Sequence, residues 1–219
     1  MLKALVFDFD GVIVDTETAW YDIYKDWLKE RYQYDLKPQD YLRCVGADTR
    51  SLIAFLQQEV DSAIDIRSFE ETAVHEFVRR TSELPVKDGV VSLLLEAKKR
   101  GLRIALATSA TRKKPVTHLT RLQLLTYFEA LATAELVAHI KPEPDLFLKA
   151  ASLLSLKPEE CLAIEDSQNG LLSAQRAGMP CLIVPNDVTR HGTFQGYFKQ
   201  VPSLSQVDLD VIINEFNAM

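Results

Sequence analysis

Two aspartates directly follow the first apolar segment of the chain. Residues 4–7 are apolar and favour β structure, which predicts a strand buried on both faces of a parallel sheet. Because side chains alternate along a strand, Asp8 and Asp10 should project toward the same side, and Gly11 permits a sharp turn there. A hard divalent cation would relieve the repulsion between the two carboxylates. One carboxylate could then act as a nucleophile and the other as an acid–base group, although a helix cap or turn would also explain either aspartate.

Polar residues also follow the second predicted strand and a proline-containing loop. Thr108 and Ser109 follow residues 103–107, where a hydroxyl and free N–H groups could bind a phosphate oxygen or cap the next helix. In residues 139–145, two prolines restrict the backbone near Lys141. We therefore expect the Lys141 ammonium to be held in place, where it would offset negative charge and orient a nucleophile.

A second acidic pair follows another predicted strand. Glu165 and Asp166 come after residues 161–164, and together with Asp8 and the carbonyl of Asp10 they could complete a Mg²⁺ site. A charge cluster at a helix N-terminus would explain one acidic pair. Two pairs on separate strands are more typical of a metal site.

The pattern along the chain predicts a doubly wound, Rossmann-like parallel α/β sheet with an inserted helical cap. Helical periodicity without a strand fills most of residues 16–84, which predicts a cap there and a catalytic core from residues 1–15 and 85–219. From residue 85 onward, strands alternate with helices, which implies right-handed crossovers and a ligand site beyond the strand ends. Predicted helices are 18–34, 48–60, 69–82, 90–100, 113–124, 143–154, 167–177 and 208–216, and predicted later strands are 103–107, 128–131, 161–164 and 180–184.

Composition limits the partners that we expect. The net charge of −6 disfavours nucleic acid and anionic lipid, and no apolar run is long enough to cross a bilayer. The start of the chain lacks the pattern of a signal peptide, and Cys44, Cys161 and Cys181 are too far apart in sequence for a zinc site. We expect a cytoplasmic monomer with reduced cysteines, for which an anionic small substrate is still possible if local cations attract it.

Four segments, in order, resemble the motifs of one enzyme superfamily. Residues 8–17, with the sequence DFDGVIVDTE, resemble the opening motif of the haloacid dehalogenase-like superfamily, in the capped phosphatase and β-phosphoglucomutase-like branch. Thr108-Ser109, the segment 139–145 and Glu165-Asp166 resemble the second, third and fourth motifs. The resemblance covers residues 2–15 and 85–185 and implies a phosphoric monoester hydrolase.

The resemblance also implies a role for each motif residue. Asp8 would attack phosphorus to give an aspartyl-phosphate, and Asp10 would protonate the leaving group and then activate water. Thr108 and Ser109 would hold the phosphoryl group, and Lys141 would secure both that group and Asp8.

The same resemblance implies a Mg²⁺ site. Asp166, helped by Glu165, would bind the ion together with Asp8 and Asp10, and the ion would shield the nucleophile from the charge of the phosphate.

Two departures from the β-phosphoglucomutases disfavour mutase activity. Trp20 stands where the mutases have a cap histidine, and Val45 stands where they have a lysine before the glycine that corresponds to Gly46. Arg50 could still reach an anionic or hydroxylated substrate from the cap, although an exposed helical arginine is an equally good interpretation.

Three other functions fit the sequence less well. A dehalogenase of this fold would need neither Asp10 nor a metal. A signalling receiver domain has no inserted cap, and its phospho-acceptor does not follow the first strand. A catalytically silent binding protein would have lost a motif residue, and none is lost here.

Overall fold

A single parallel sheet forms the centre of the computed structural model, which describes residues 1–219. The strands are β1 Ala4–Phe7, β2 Arg103–Ala107, β3 Ala130–Ala132, β4 Cys161–Glu165, β5 Cys181–Ile183 and β6 Lys199–Gln200. The α-helices are α1 Thr16–Tyr32, α2 Pro38–Tyr41, α3 Arg50–Glu59, α4 Ile66–Thr81, α5 Val90–Lys99, α6 Lys113–Arg121, α7 Asp145–Leu153, α8 Gln168–Arg176 and α9 Leu209–Asn217. None of the helices combines the length and the apolar character needed to cross a bilayer.

Strand β1 lies at the point where the strand order reverses. The order is β3-β2-β1-β4-β5-β6, and every neighbouring pair is parallel. Phe7 of β1 is level with Leu106 of β2 and with Ile164 of β4. The residues that follow these strands therefore meet at one edge of the sheet, where α/β folds of this kind bind ligands. The predicted doubly wound α/β fold is confirmed.

The two faces of the sheet are buried by different helices. Leu5 and Phe7 belong to an apolar cluster completed by α5 and α9, whereas Ala4 and Val6 belong to a second cluster completed by α7 and α8. This double burial explains why β1 consists of apolar residues only. Asp8 continues the alternation on the same side as Ala4 and Val6.

Helices α1 to α4 form a helical insertion, residues 16–81, with an apolar cluster largely of its own. Tyr24 and Leu28 of α1 pack with Leu52 and Leu56 of α3 and with the start of α4. Aromatic stacking joins α1 to α4: the rings of Trp27 and Phe69, for example, lie 4.1 Å apart at 17°. The domain boundaries at residues 15/16 and 84/85 stay a prediction.

Several element boundaries differ from those expected. Strand β6 was not predicted, because its two residues, Lys199 and Gln200, carry no apolar signal. The short helix α2 was not predicted either; it begins at Pro38, at a position where the missing N–H of proline costs nothing. Helix α4 begins three residues earlier than predicted, at Ile66, because the Asp65 side chain accepts a hydrogen bond from the backbone N–H of Ser68.

The remaining differences are shifts of a few residues. Strand β3 covers Ala130–Ala132 instead of residues 128–131, and α6 ends at Arg121 instead of residue 124. A short turn of 3₁₀ helix occupies Leu125–Tyr127 between these two elements.

Truncation of a buried leucine should destabilise the helical insertion. Leu52 is fully buried, so we expect Leu52→Ala to lower the free energy of unfolding by about 2–5 kcal/mol through lost apolar contact and the cavity left behind. Both tryptophans of the chain, Trp20 and Trp27, lie in α1, so the loss can be measured by urea unfolding followed by tryptophan fluorescence. The exposed Val78→Ala should change this free energy by less than about 0.5 kcal/mol. Equal effects of the two substitutions would contradict the packing described above.

Candidate active site

The end of β1 places two aspartates at the rim of the sheet. Asp8 is almost fully buried, and Asp10 is partly exposed. The chain turns at Gly11, which has a φ of +76°, and a Cβ atom there would overlap the Asp166 carboxylate and the Asn186 side chain. Both the backbone conformation and the close approach therefore require glycine at this position.

Lys141 is buried between two carboxylates. Its Nζ atom lies 2.5 Å from Asp8 Oδ1, 2.5 Å from Glu165 Oε1 and 2.9 Å from the carbonyl oxygen of Ala107, so all three ammonium protons have acceptors. Burial alone would lower the pKa of Lys141, but the two carboxylates outweigh it, and the pKa lies above its usual value. The ammonium therefore stays charged and fixes one oxygen of Asp8.

Both carboxylate oxygens of Glu165 also accept hydrogen bonds. Its Oε1 atom accepts from Lys141, and its Oε2 atom accepts from the backbone N–H groups of Asp166 and Ser167 and from the Ser167 hydroxyl. Gly170 lies against this carboxylate, and a Cβ atom at that position would overlap it. Glu165 thus holds Lys141 in place and is itself held by the start of α8.

Asp166 keeps one free oxygen. Its Oδ2 atom accepts a hydrogen bond of 2.8 Å from Asn186 Nδ2. Asn186 follows β5 and was not expected from the sequence, because a single asparagine in a loop carries no distinctive pattern. Its position just beyond another strand end is the only indication that the sequence offers.

Three buried carboxylates could hold a metal ion. Ligand oxygens of Asp8, Glu165 and Asp166 all lie within 4.8 Å of one another, and Lys141 is the only cation in contact with them. Burial raises the pKa of Asp8 to about 7 although Lys141 opposes this, and burial together with Glu165 raises that of Asp166 well above its usual value. The excess negative charge and the hard oxygen donors fit a divalent cation. Asp8 and Asp166 would be its side-chain ligands, because each has an oxygen without a hydrogen bond.

Backbone N–H groups at the same edge are free to bind an anion. Those of Phe9, Asp10 and Ser109 donate to no protein acceptor. The Thr108 hydroxyl oxygen accepts from the N–H of Ala110, which leaves the hydroxyl proton available. The Ser109 hydroxyl, in contrast, donates to the carbonyl oxygen of Gly46 at 3.0 Å. Ser109 therefore offers its backbone N–H to an anion, and its side chain binds the insertion.

A cavity of about 190 Å³ lies between this rim and the helical insertion. The core lines it with Asp8, Asp10, Thr108 and Lys114, and the insertion lines it with Glu17, Trp20, Tyr24 and Glu70, among others. Lys114, which sequence reasoning missed inside an ordinary helical pattern, lies 2.5 Å from Asp10 Oδ1. The Thr16 hydroxyl donates to the same oxygen, so the other oxygen of Asp10 stays free.

Two hydrogen bonds close the insertion over the core. Ser109 donates to the carbonyl of Gly46, and Asn169 Nδ2 donates to the carbonyl of Val45 at 2.8 Å. We call this pair of contacts the latch. It joins the loop before α3 to Ser109, just after β2, and to Asn169 in the first turn of α8, which follows β4.

Arg50 does not line the cavity. Its side chain is largely exposed and forms an ion pair with Asp48, with Nη2 2.6 Å from Oδ2. The structure thus brings together all the predicted site residues except Arg50, and the predicted contact of Arg50 with substrate stays a prediction.

The sequence matches a known family over most of its length. A family model described as haloacid dehalogenase-like hydrolase covers residues 5–184. This chain belongs to that family. The match begins in β1 and ends just after β5, so it includes every strand end described above.

Two relatives of this haloacid dehalogenase-like hydrolase have names that describe a phosphatase. A protein of Bacillus subtilis (strain 168) with the provisional name phosphatase YhcW is 35% identical over 100% of this chain and 99% of its own length. A Thermotoga maritima protein named phosphorylated carbohydrates phosphatase is 29% identical over 81% of this chain and 82% of its own length. The chain is accordingly a phosphoric monoester hydrolase.

A solved structure shows the same architecture. A variant of CbbY from Rhodobacter sphaeroides, in complex with xylulose-1,5-bisphosphate, superposes with a TM-score of 0.74 at 25% identity, over 94% of this chain and 96% of the other. The resemblance of the sequence to the capped phosphatase and phosphomutase branch is confirmed.

Cation binding should stabilise the protein more at high pH than at low pH. Without a cation, Asp8 has a pKa of about 7 in the folded state against an ordinary value of 3.8, so the folded protein binds more protons between these values and loses stability as pH rises through them. Each unit of raised pKa corresponds to about 1.4 kcal/mol, which makes the effect on the order of a few kcal/mol. We therefore expect Mg²⁺ to raise the melting temperature more at pH 8 than at pH 5.

Two variants control this measurement. Asp166→Asn should raise the cation-free melting temperature at pH 8 and abolish the shift caused by Mg²⁺, because it removes a buried charge and a ligand. Asp35→Asn changes an exposed aspartate and should behave like the wild type. A Mg²⁺ shift of equal size at both pH values would argue against a cation on these carboxylates.

Proposed function

We propose that this haloacid dehalogenase-like hydrolase is a Mg²⁺-dependent phosphatase that acts on a small phosphorylated metabolite, such as a sugar phosphate, through an aspartyl-phosphate. The observation that carries the proposal is the set of contacts made by the two carboxylate oxygens of Asp8. One of its oxygens is fixed by Lys141, the other accepts no hydrogen bond, and free backbone N–H groups lie beside it. This is the arrangement that a pre-oriented nucleophile needs.

The reaction divides into two steps. Asp8 attacks phosphorus, the bond from phosphorus to the ester oxygen breaks, and Asp10 transfers a proton to that oxygen. A water molecule then attacks the aspartyl-phosphate, Asp10 accepts its proton, and inorganic phosphate leaves with Asp8 regenerated. A bound Mg²⁺ would offset the negative charge that accumulates on the phosphoryl oxygens.

The other polar groups position the phosphoryl group and the acid–base residue. The backbone N–H groups of Phe9, Asp10 and Ser109 and the hydroxyl of Thr108 would donate to the phosphoryl oxygens. Lys114 binds Asp10 Oδ1, so the free oxygen of Asp10 is the one that would carry the transferred proton. Lys141 and Glu165 act through Asp8 and through the charge balance of the site.

Two observations favour a phosphatase over a phosphomutase. Trp20 stands where the mutases have a histidine, and its ring stacks on Phe77 at a centroid distance of 4.4 Å. Val45 stands where they have a lysine, and it is buried. Neither side chain carries a positive charge that could bind a second phosphate. A cytoplasmic location and a monomeric state are part of the proposal, and the three buried, free cysteines are consistent with a reducing compartment.

Removal of the nucleophile should abolish turnover. We expect Asp8→Asn to lower kcat by at least about 10³-fold, because the amide cannot form the covalent intermediate. The measurement is phosphate release from a panel of sugar phosphates, with and without Mg²⁺, with circular dichroism as the check on folding. Asp35→Asn, an exposed aspartate, should retain full activity. A rate for Asp8→Asn near that of the wild type would mean that the nucleophile is another residue.

The loss of rate caused by removing the acid–base group should depend on the leaving group of the substrate. We expect Asp10→Asn to lower kcat for alkyl phosphates by about 10²–10⁴-fold, because their leaving oxygen needs a proton. p-Nitrophenyl phosphate has a good leaving group, so the fall in the rate of its first step should be clearly smaller. Pre-steady-state release of p-nitrophenol measures this step. An equal loss for both substrates would contradict the role of Asp10 as the acid.

A further inference from the structure

The wall of the cavity opposite Asp10 comes from the helical insertion and carries two carboxylates. Glu17 and Glu70 line this wall together with Trp20 and Tyr24. The Tyr24 hydroxyl donates to Glu70, whereas the nearest hydroxyl to Glu17 is that of Tyr41, 3.5 Å from Oε2. Glu17 therefore has hydrogen-bond capacity in the cavity that the protein does not use.

The same cavity lacks a free cation. Lys114 is the only lysine or arginine in its lining, and its ammonium is bound to Asp10. Arg50 is paired with Asp48 outside the cavity, and Arg43 lies over the ring of Phe55, 4.4 Å from the centroid. No positive charge is thus available to a second anionic group on the substrate.

This charge distribution limits what a leaving group can carry. Transfer of a second phosphate from water into a cavity whose one cation is already paired would cost several kcal/mol, and the neighbouring carboxylates would add repulsion. Burial and the charge of Asp10 already raise the pKa of Glu17 to about 8, so further negative charge is unfavourable there. Hydroxyl groups, in contrast, can hydrogen-bond to Glu17 in either protonation state.

The aromatic side chains and the size of the cavity further restrict the class of leaving group that can bind. Trp20 is fixed by stacking on Phe77, with 15° between the rings, and it offers a flat apolar surface to the C–H groups of a polyol. The cavity volume of about 190 Å³ is below the roughly 300–1,000 Å³ of pockets for drug-sized ligands. A small leaving group with hydroxyls on one side and C–H groups on the other fits these walls.

We propose that the cavity selects monophosphates of small polyols or sugars over the corresponding bisphosphates, and that Glu17 is the specificity-determining residue that binds their hydroxyl groups. The inference rests on the proposed function, because it concerns the leaving group of that reaction. It separates this chain from the CbbY variant whose crystal structure holds a bisphosphate.

Matched substrate pairs test the preference. Phosphate release in the presence of Mg²⁺ is measured for two pairs of compounds: glucose 6-phosphate and glucose 1,6-bisphosphate, and ribose 5-phosphate and ribose 1,5-bisphosphate. Sorbitol 6-phosphate is added as a polyol monophosphate, and acetyl phosphate as a substrate without hydroxyl groups. We expect kcat/KM for the better sugar monophosphate to exceed that of its bisphosphate by at least about tenfold, the effect of one unpaired buried charge.

Substitution of Glu17 tests the residue. At pH 9, above the pKa of about 8 where Glu17 is ionised, Glu17→Gln should raise KM for the best monophosphate by about tenfold, since a hydrogen bond to a charged group is weakened or lost. KM for acetyl phosphate should change less than twofold. Glu30→Gln, at an exposed position on the same helix, is the matched control and should leave both KM values unchanged.

Three results would overturn the inference. The first is a wild type that prefers a bisphosphate. The second is a preference for a bisphosphate that disappears in Arg50→Ala, which would mean that Arg50 binds the second phosphate. The third is turnover of acetyl phosphate with none of the polyol or sugar monophosphates. Equal KM changes for both substrates in Glu17→Gln would show that Glu17 acts on the phosphoryl site instead. Absence of release from every compound, acetyl phosphate included, would overturn the proposed function itself.

Discussion

The structure of the site depends on one buried ammonium among carboxylates. Lys141 is enclosed by Asp8, Glu165 and the carbonyl of Ala107, and it has no access to water. A buried charge is tolerated only when it is paired and hydrogen-bonded, and removal of one partner of such a pair costs about 3–5 kcal/mol. The ends of β1, β2 and β4 and the loop before α7 must therefore meet in one arrangement. The lysine that balances the charge also sets the geometry.

Lys141 does not neutralise all of the negative charge at the site. The site has two parts, which differ in the ligand that they favour. On the side of Asp166, buried carboxylates with free oxygens favour a hard cation. On the side of Asp10, whose carboxylate is paired with Lys114, free backbone N–H groups favour the phosphoryl group. Asp8 lies between the two parts and can serve both. The helical insertion adds a third surface, which meets the part of the substrate that differs from one phosphate ester to another.

The sequence predicted the part of the site that depends on strand ends. Asp8, Thr108, Lys141, Glu165 and Asp166 follow apolar segments or lie in a proline-restricted loop, and parallel strands bring such positions to one edge. The residues that were missed depend on tertiary approach instead: Lys114 lies within a regular helix, and Asn186 lies in an unremarkable loop. The exposed position of Arg50 could not be predicted either, because helical periodicity does not say which neighbour an arginine will pair with. Strand β6 was too short and too polar to be recognised.

The latch has a consequence for how often the site opens. Two neutral hydrogen bonds, from Ser109 to Gly46 and from Asn169 to Val45, contribute on the order of 1–3 kcal/mol together. If they were the whole difference between two positions of the insertion, the displaced position would hold roughly one molecule in ten to one in a hundred. A minority of that size is large enough to admit solutes without delay, yet small enough that most occupied molecules stay shielded from bulk solvent. Because both acceptors are main-chain carbonyls, these two hydrogen bonds depend on the backbone position of residues 45 and 46 and not on the side chains that the insertion carries there.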